Sequence, residues 1–434
     1  MPRITEWNPE DSAFWEAEGR GHAQRNLWIS IPCLLLAFSV WVFWSMIIVY
    51  MDKFGFTWSK TELLILPATA GFWGAFARIP YTFASSMFGG KNVCAFTTAI
   101  MIVPCWLAGT ALQDPSTPLS TFTLYAMLSG FGGGAFSASM SNISYFFPKR
   151  EAGTALGLNA GLGNLGVSVA QFLIPAAIFI PLFGGMGGGA SVPMPDGRAL
   201  YLQNATYIWI PLLAFFTLLS LWGMDNLSSA KQSFGQVAVI FKRKHNWVMT
   251  VLYTMTFGSF IGFAFSFPQL IKIVFDPKLA GQYAFLGALV GSLARPVGGW
   301  LSDKFSSSWI TIVVTLTMIV SPLGIIYFTS PGSTSFAGFL AMFLILFMAT
   351  GVGNASTFKM IAQIFSAKKA GPVLGWTASI AAFGAWGVPE LFKWSIESGG
   401  NANKAFYWLI GFYVICLALC WYFYTRRNAE VPCH

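Results

Sequence analysis

The sequence predicts an all-α membrane protein with twelve transmembrane helices, arranged as two pseudo-symmetric six-helix bundles. Three observations support this prediction. Of the 434 residues, 55% are hydrophobic and only 9% are charged, against about 25% charged residues in a soluble domain. Apolar runs long enough to cross a bilayer as a helix, about 17–25 residues each, recur twelve times along the chain. The longest charged interruption divides these runs into six and six.

The twelve predicted spans are separated by short polar loops. They lack the alternating pattern of a membrane β-barrel strand, and a helix satisfies its own backbone hydrogen bonds, so we expect helices throughout. We place the spans at 28–51, 64–87, 92–112, 119–147, 153–181, 206–225, 246–268, 281–303, 308–329, 335–364, 370–394 and 403–425.

The distribution of basic residues predicts the orientation. The net charge is +9, and most lysines and arginines fall in segments that lie inside the cell when the N-terminus does. This excess predicts that both termini are cytoplasmic. The same asymmetry accounts for the net charge without a nucleic-acid partner. The six cysteines lack the spacing of a metal site, so we expect no metal and no cofactor.

The predicted domain organisation follows from the spans and the central charged interruption. The second half of the chain repeats the first, which suggests duplication. The predicted segments are a cytoplasmic N-terminal segment (1–27), a first bundle (28–225), a cytoplasmic linker (226–245), a second bundle (246–425) and a cytoplasmic tail (426–434).

Two arginines, Arg78 and Arg295, lie inside apolar spans, in the contexts GFWGAFARIPYTF and FLGALVGSLARPVGGW. A charge at the centre of a membrane helix costs about 2.5–3.5 kcal/mol on insertion scales, so it usually lines a functional cavity. The register that superposes Arg295 on Arg78 also superposes Gly291 on Gly74. We therefore expect the two arginines to form one anion site shared by the two halves.

A glycine-rich helix, GLNAGLGNLG, occupies the fifth predicted span, and the eleventh repeats it weakly as SIAAFGAWG. Small residues at this spacing let helices approach closely in a membrane. Asn164 lies within the first motif and needs a polar partner or a substrate, whereas Ala382 occupies its repeat position. The glycines predicted to serve helix packing or gating are Gly157, Gly161, Gly163, Gly166, Gly384 and Gly387.

The stretch GGWLSDKF, with Asp303 and Lys304, resembles the cytoplasmic loop motif of the major facilitator superfamily. The corresponding stretch FASSMFGGK is a degenerate version without the acid. Six plus six spans, internal termini and this loop together imply the major facilitator fold, in which two bundles rock about a site at the bilayer midplane.

The motif GLNAGLGNLG is similar to the signature of the nitrate/nitrite porter family within that superfamily. The contexts ARIPYTFASSMFGG, SASMSNISYFFPK and LYTMTFGSFIGF extend the resemblance, which runs from residue 26 to the last span. It is similar throughout to bacterial nitrate/nitrite exchangers. The resemblance implies the following roles: anion clamps at Arg78 and Arg295, rings that sandwich the anion at Phe136 and Phe257, a hydroxyl donor at Tyr253, and a further polar group at Asn164.

The chemistry agrees with a nitrate substrate. Nitrate is planar, and an arginine fork matches two of its oxygens with parallel hydrogen bonds, whereas a lysine offers a point charge. Tyr253 and Phe257 are four residues apart and share a helix face. In a chain with 17% aromatic residues, simple packing is an alternative role for these rings.

Obligatory exchange is the transport mechanism that the sequence favours. No carboxylate or histidine is placed to take up a proton in the predicted core, and both arginines stay charged at physiological pH. An empty site would leave two cations in a closing cavity, so the carrier should reorient only with an anion bound. Lys359 leaves an alternative open: at the cytoplasmic interface it is a snorkelling lysine, whereas in the cavity it would favour nitrate/proton symport.

Other classes of function have less support. An intramembrane enzyme needs a catalytic pair or metal ligands at depth, and none is visible. A nitrate-sensing receptor should carry a cytoplasmic output domain, whereas this chain has short termini and a short linker. We therefore predict a monomeric nitrate/nitrite antiporter in the lipid of the cell inner membrane, with nitrate and nitrite as its binding partners.

Overall fold

The structure, a computed structural model, describes residues 4, 6–182, 189–195, 197–227, 239–365 and 367–433. The chain forms two compact units. The first comprises residues 1–58 and 69–234, and the second comprises residues 59–68 and 235–434. The predicted linker at 226–245 falls largely on residues outside the described part, so the predicted domain boundaries remain a prediction.

The first unit is built from helices that pack around its first long helix. Its helices are α1 (Ser12–Val42, continued by Trp44–Phe54), α2 (Ile65–Phe88, of which the part from residue 69 onward belongs to this unit), α3 (Gly90–Ala111), α4 (Leu119–Phe146), α5 (Lys149–Ala177) and α6 (Asn204–Gly223). Of these, α1 packs against α4, α5 and α6, while α3 packs against α6. A short hairpin before α6 pairs β1 (Val192–Pro193) with β2 (Ala199–Leu200).

The second unit contains six further helices. They are α7 (Lys244–Val274), α8 (Pro277–Lys304), α9 (Ser307–Thr329), α10 (Phe336–Ile364), α11 (Ala367–Ala381, continued by Gly384–Gly399) and α12 (Asn403–Thr425). Of these, α10 packs against both α8 and α9, α7 packs against α8 and α11, and α9 packs against α12.

Ten helices within the described residues are long and apolar enough to cross a membrane. They confirm ten of the twelve predicted spans. The predicted span at 119–147 is a continuous helix of 28 residues, but its glycines and serines make it less apolar than the others. The predicted span at 370–394 is divided into two shorter helices. A total of twelve crossings therefore remains a prediction.

The first helix begins earlier than the sequence predicts. It starts at Ser12 rather than near residue 28, because the Asp11 side chain caps it by accepting hydrogen bonds from the backbone N–H groups of Ala13 and Phe14. Trp15 in its first turns is buried. The mixed charges of this segment concealed its helical character, since they raise its polarity without interrupting the helix.

Candidate functional site

Arg78 lies in α2 and its side chain is 0% exposed. Its Nε donates a hydrogen bond of 3.0 Å to the backbone carbonyl of Gly133 in α4. The carbonyl of Arg78 itself accepts a hydrogen bond from Thr82 one turn later. These contacts hold the guanidinium inside the first unit rather than at a lipid-facing surface.

Three aromatic rings surround the Arg78 guanidinium. Its Cζ lies 4.8 Å from the ring centroid of Phe136, 5.4 Å from that of Trp41 and 6.0 Å from that of Phe38. The Phe38 and Phe136 rings are stacked, with an interplanar angle of 12°. The Trp41 indole is fixed because its Nε1 donates to the Ala70 carbonyl. Phe136, which was predicted to sandwich the anion, thus lies against the arginine; its role towards an anion remains a prediction.

Two glycines make room for this arrangement. A Cβ at either Gly74 of α2 or Gly133 of α4 would overlap the Trp41 indole. The close approach of these backbones brings the Gly133 carbonyl within reach of Arg78. The glycines therefore have a packing role that follows directly from the bulk of the neighbouring indole.

Arg295 lies in α8 and is 8% exposed. Its Cζ is 5.0 Å from the ring centroid of Phe260 and 5.5 Å from that of Phe257, both in α7. Within the described residues, its Nε and Nη2 have no hydrogen-bond partner, and no carboxylate forms an ion pair with it. Arg295 is therefore a buried cation with two donor nitrogens that are unpaired within the described residues.

A ladder of stacked rings lies beside Arg295. The rings of Tyr253 and Phe257 are stacked with centroids 5.6 Å apart, and Tyr253 also stacks on Phe358 of α10 at 4.8 Å. Directly after Tyr253, α7 widens into a π-helical turn, Thr254–Gly258, which includes Phe257; such turns are frequent at functional sites. Both predicted aromatic residues of this helix thus belong to the surroundings of Arg295.

In each unit, two aromatic rings three residues apart on one helix lie beside the arginine. Phe38 and Trp41 lie three residues apart in α1, and Phe257 and Phe260 lie three residues apart in α7. The sequence interpretation included only one of these four residues. Their common spacing, at corresponding places in the two halves, was the signal that could have revealed the other three.

Asn164 lies in α5 and is buried. Its Nδ2 donates to the carbonyl of Ala160 in the same helix, while its Oδ1 has no partner among the described residues. The observed hydrogen-bond partner of this amide is therefore its own helix, and its role towards an anion remains a prediction.

The glycines of α5 divide into two sets. A Cβ at Gly163 would press on the Leu34 side chain, and one at Gly166 would overlap the Leu35 carbonyl. A Cβ at Gly157 or Gly161 would meet open space among the described residues. Close packing thus explains the second half of the motif but not the first.

The repeat in α11 shows the same division. A Cβ at Gly384 would overlap the carbonyl of Gly258 in α7, whereas one at Gly387 would meet open space in the part of the chain that is described. Ala382, at the repeat position of Asn164, is buried. The weak echo of the glycine motif therefore retains one close helix contact.

The loop motif that is predicted to be cytoplasmic includes an ion pair. Nζ of Lys359 in α10 pairs with Oδ1 of Asp303 at the end of α8, and the Lys359 side chain is 41% exposed. Lys304 extends over the Trp300 ring, with its Nζ 4.3 Å from the centroid. This geometry agrees with the interfacial alternative for Lys359 and gives Asp303 a partner that the sequence interpretation did not identify.

Asp225, just after α6, is the one buried carboxylate among the residues whose burial is described. Its Oδ2 accepts hydrogen bonds from His22, Arg25 and Asn26 at the start of α1. Burial by itself would raise the pKa of this carboxyl, but the three hydrogen bonds outweigh it and the pKa lies below its usual range. The carboxylate is thus committed to a structural network.

Comparison with known proteins gives concordant results. Residues 29–389 match the family model described as Major Facilitator Superfamily. The chain is 41% identical to "Nitrate/nitrite transporter NarU" of Salmonella typhimurium, covering 98% of this chain and 97% of that protein. It is also 41% identical to "Probable nitrate/nitrite antiporter NarK2" of Thermus thermophilus, covering 99% and 98% respectively.

Among solved structures, the fold is similar to that of a bacterial homologue of the human lysosomal transporter Spinster, in an inward-facing and unoccupied conformation. The TM-score is 0.68 at 14% sequence identity, covering 91% of this chain and 96% of that one. At this identity the similarity shows the fold alone.

Proposed function

The chain belongs to the nitrate/nitrite transporters of the Major Facilitator Superfamily, and we propose that it imports nitrate across the cell inner membrane in exchange for nitrite. It is a multi-pass membrane protein, with ten helices of spanning length and apolarity in the described residues. The names of its relatives suggest the substrates, and the relative from Thermus thermophilus is named a probable nitrate/nitrite antiporter. We propose that the monomer performs the exchange by a rocker-switch of its two bundles.

The observation that carries this proposal is the state of Arg295. It is a buried guanidinium, and the described residues supply neither a counter-ion nor an acceptor for its Nε and Nη2. Such a group is strongly destabilising unless an anion completes it. Its fork can bind two oxygens of nitrate or nitrite in parallel.

The aromatic surroundings suit a small, flat and weakly hydrated ion. Phe257 and Phe260 lie beside Arg295, and Phe136 and Trp41 lie beside Arg78. These rings exclude water, and a lower local dielectric strengthens the attraction between guanidinium and anion. We propose that Arg78 and Arg295 act on the same anion, because each occupies the same place in its own half of the repeat.

Obligatory exchange is expected because the arginines of the site cannot lose their positive charge by giving up a proton. A guanidinium does not lose its proton at physiological pH, so an empty, closing site would bury uncompensated charge. Reorientation should therefore require a bound anion. Nitrate and nitrite carry the same charge, so their exchange is electroneutral.

Nitrate/proton symport, the alternative mechanism, requires a buried group that takes up a proton. Among the described residues the buried carboxylate is Asp225, which is bound to His22, Arg25 and Asn26. Lys359 pairs with Asp303 and is partly exposed. These contacts support exchange over symport.

The proposal can be tested with the full chain in phospholipid vesicles. We expect uptake of labelled nitrate into vesicles that contain nitrite or nitrate, and only background uptake into vesicles that contain sulfate or no permeant anion. Equal uptake into anion-free vesicles, driven by an inward proton gradient, would contradict exchange and favour symport. Absence of nitrate uptake under every condition would contradict transport of nitrate.

A further inference from the structure

Asn354, in the middle of α10, is a buried amide without a hydrogen-bond partner. Its side chain is 2% exposed, and neither its Nδ2 nor its Oδ1 reaches a partner within the described residues. A buried amide that makes no hydrogen bond costs free energy. Such a group in the core of a membrane protein is expected to serve a ligand.

The register of α10 directs Asn354 towards the surroundings of Arg295. One turn before it, Gly351 packs against the backbone of Gly291 in α8, and Arg295 follows Gly291 by one turn. One turn after it, Phe358 stacks on Tyr253 of α7. Residues three and four apart share a helix face. Asn354 therefore lies on the face of α10 that meets α7 and α8, between these two contacts.

The internal repeat leads to the same placement. Gly133 packs against Gly74 in the first unit, as Gly351 packs against Gly291 in the second. The register that pairs these glycines also pairs Asn354 with Phe136, whose ring lies 4.8 Å from the guanidinium of Arg78. The second unit thus offers an amide at the place where the first unit offers an apolar ring.

Arg295 and Asn354 together have several polar atoms that make no hydrogen bond within the described residues. The unpartnered atoms are Nε and Nη2 of the arginine and both polar atoms of the amide. We propose that the Nδ2 of Asn354 donates a hydrogen bond to an oxygen of the anion that Arg295 binds, and that it thereby favours nitrate over nitrite. This inference rests on the proposed function.

The number of oxygens on each anion explains why Asn354 would favour nitrate over nitrite. The fork of Arg295 engages two oxygens of a planar anion. Nitrate has a third oxygen, whose lone pairs can accept hydrogen bonds from both Asn354 and Arg78, whereas nitrite has no third oxygen. A donor contributes little to the binding of a substrate that lacks the matching group, so the amide strengthens the binding of nitrate more than that of nitrite.

The test measures binding of nitrate and of nitrite separately to the purified full chain by isothermal titration calorimetry. We expect Asn354→Leu to raise the dissociation constant for nitrate about tenfold and that for nitrite by less than about threefold. Asn354→Ala should give the same change in the ratio, and it decides the question if the leucine variant fails to fold. The matched control is Ser356→Ala, which removes a buried hydroxyl of α10 that bonds to Thr311 and should leave the ratio unchanged.

An unchanged nitrate-to-nitrite ratio in both Asn354 variants would overturn the inference. Vesicle exchange measured on the same preparations reports on the proposed function independently. If the wild type binds both anions but exchanges neither, the exchange proposal fails while the inference is still judged by the ratio. If the wild type binds neither anion, both fail.

Discussion

At the residue scale, a buried guanidinium rests on aromatic rings in each unit. Each of these cation–π contacts is worth about 0.5–2 kcal/mol, depending on how far the charge is desolvated. They offset part of the cost of burying the charge but supply no hydrogen-bond acceptor. For Arg295 the described residues supply none either. The rings therefore stabilise the cation while its fork remains available for an anion.

Charge-conserving substitution tests the fork. We expect Arg78→Lys and Arg295→Lys each to lower nitrate exchange at least tenfold, because an ammonium group cannot make two parallel hydrogen bonds. Exchange of labelled nitrate in vesicles, normalised to inserted protein, measures the effect.

The matched control is Arg20→Lys. Arg20 is exposed and pairs with Glu16 on the same helix, so its replacement should leave exchange unchanged. Wild-type exchange in both buried-arginine variants would show that charge alone suffices and would contradict a role for the fork.

Lys359 provides a second test at this scale. It pairs with Asp303 on a partly exposed surface, and such pairs contribute about 0–1 kcal/mol. We expect Lys359→Gln to retain exchange, with the same dependence on pH between 5.5 and 8, about the range of ordinary assays. A shifted pH profile in this variant would instead indicate that the lysine takes part in proton transfer.

At the scale of the elements, α5 combines close packing with open space. Gly163 and Gly166 lie against α1, and Gly157 and Gly161 face no described atom. The sequence motif alone predicts a glycine helix but does not separate these sets, because the distinction depends on which face of α5 meets α1.

Alanine substitutions separate the two sets. We expect Gly166→Ala to lower the free energy of unfolding by about 1–3 kcal/mol, since its methyl group would overlap the Leu35 carbonyl. Thermal melting of the purified protein in detergent measures the loss.

Gly161→Ala is the control on the same helix. Its new methyl group would meet open space among the described residues. The effect of the substitution on the free energy of unfolding should therefore stay within about 1 kcal/mol, the difference in helix propensity between the two residues. Equal destabilisation by both variants would contradict the division of the motif.

The sequence could predict only part of the candidate site, because some of its residues are recognised from the way the helices pack. The resemblance to a family predicted Phe257 as a site residue, and the structure places it beside Arg295. Trp41 and Phe260 were missed because aromatic residues are abundant in this chain. Asn354 was missed because its repeat partner, Phe136, has a different chemistry. Asn354 is identified only when the packing of α7, α8 and α10 is known.

At the scale of the whole molecule, composition and span spacing were sufficient to predict an all-helical membrane protein, and the loop motif GGWLSDKF added the superfamily, as the family match and ten spanning helices confirm. The start of α1 was predicted too late, because Asp11 and the following charges resemble a polar tail. Hydropathy detects the apolar part of a helix but not the polar turns that extend it.

The network at Asp225 connects both ends of the first unit's chain and makes its stability sensitive to pH. The pKa of Asp225 is lowered in the folded state, so its contribution is present above the pKa of the unfolded chain, near 4, and is lost as the pH falls through the lower folded value. We expect Asp225→Asn to lower the free energy of unfolding by about 1–3 kcal/mol at pH 7.

Thermal melting at several pH values measures this effect. The difference between the wild type and Asp225→Asn should shrink below about pH 4. Glu16→Gln, a change at an exposed carboxylate, should melt as the wild type does at pH 7. A difference that stays constant down to pH 3 would contradict a stabilising charge at Asp225.

The central claim is that a permanently charged site moves across the membrane only with an anion bound. Simultaneous measurement of nitrate uptake and nitrite release, in the same vesicles and with the membrane potential recorded, tests it most directly. The account predicts one nitrite released for each nitrate taken up, with no change in potential. Nitrate uptake without nitrite release, accompanied by proton uptake, would contradict it.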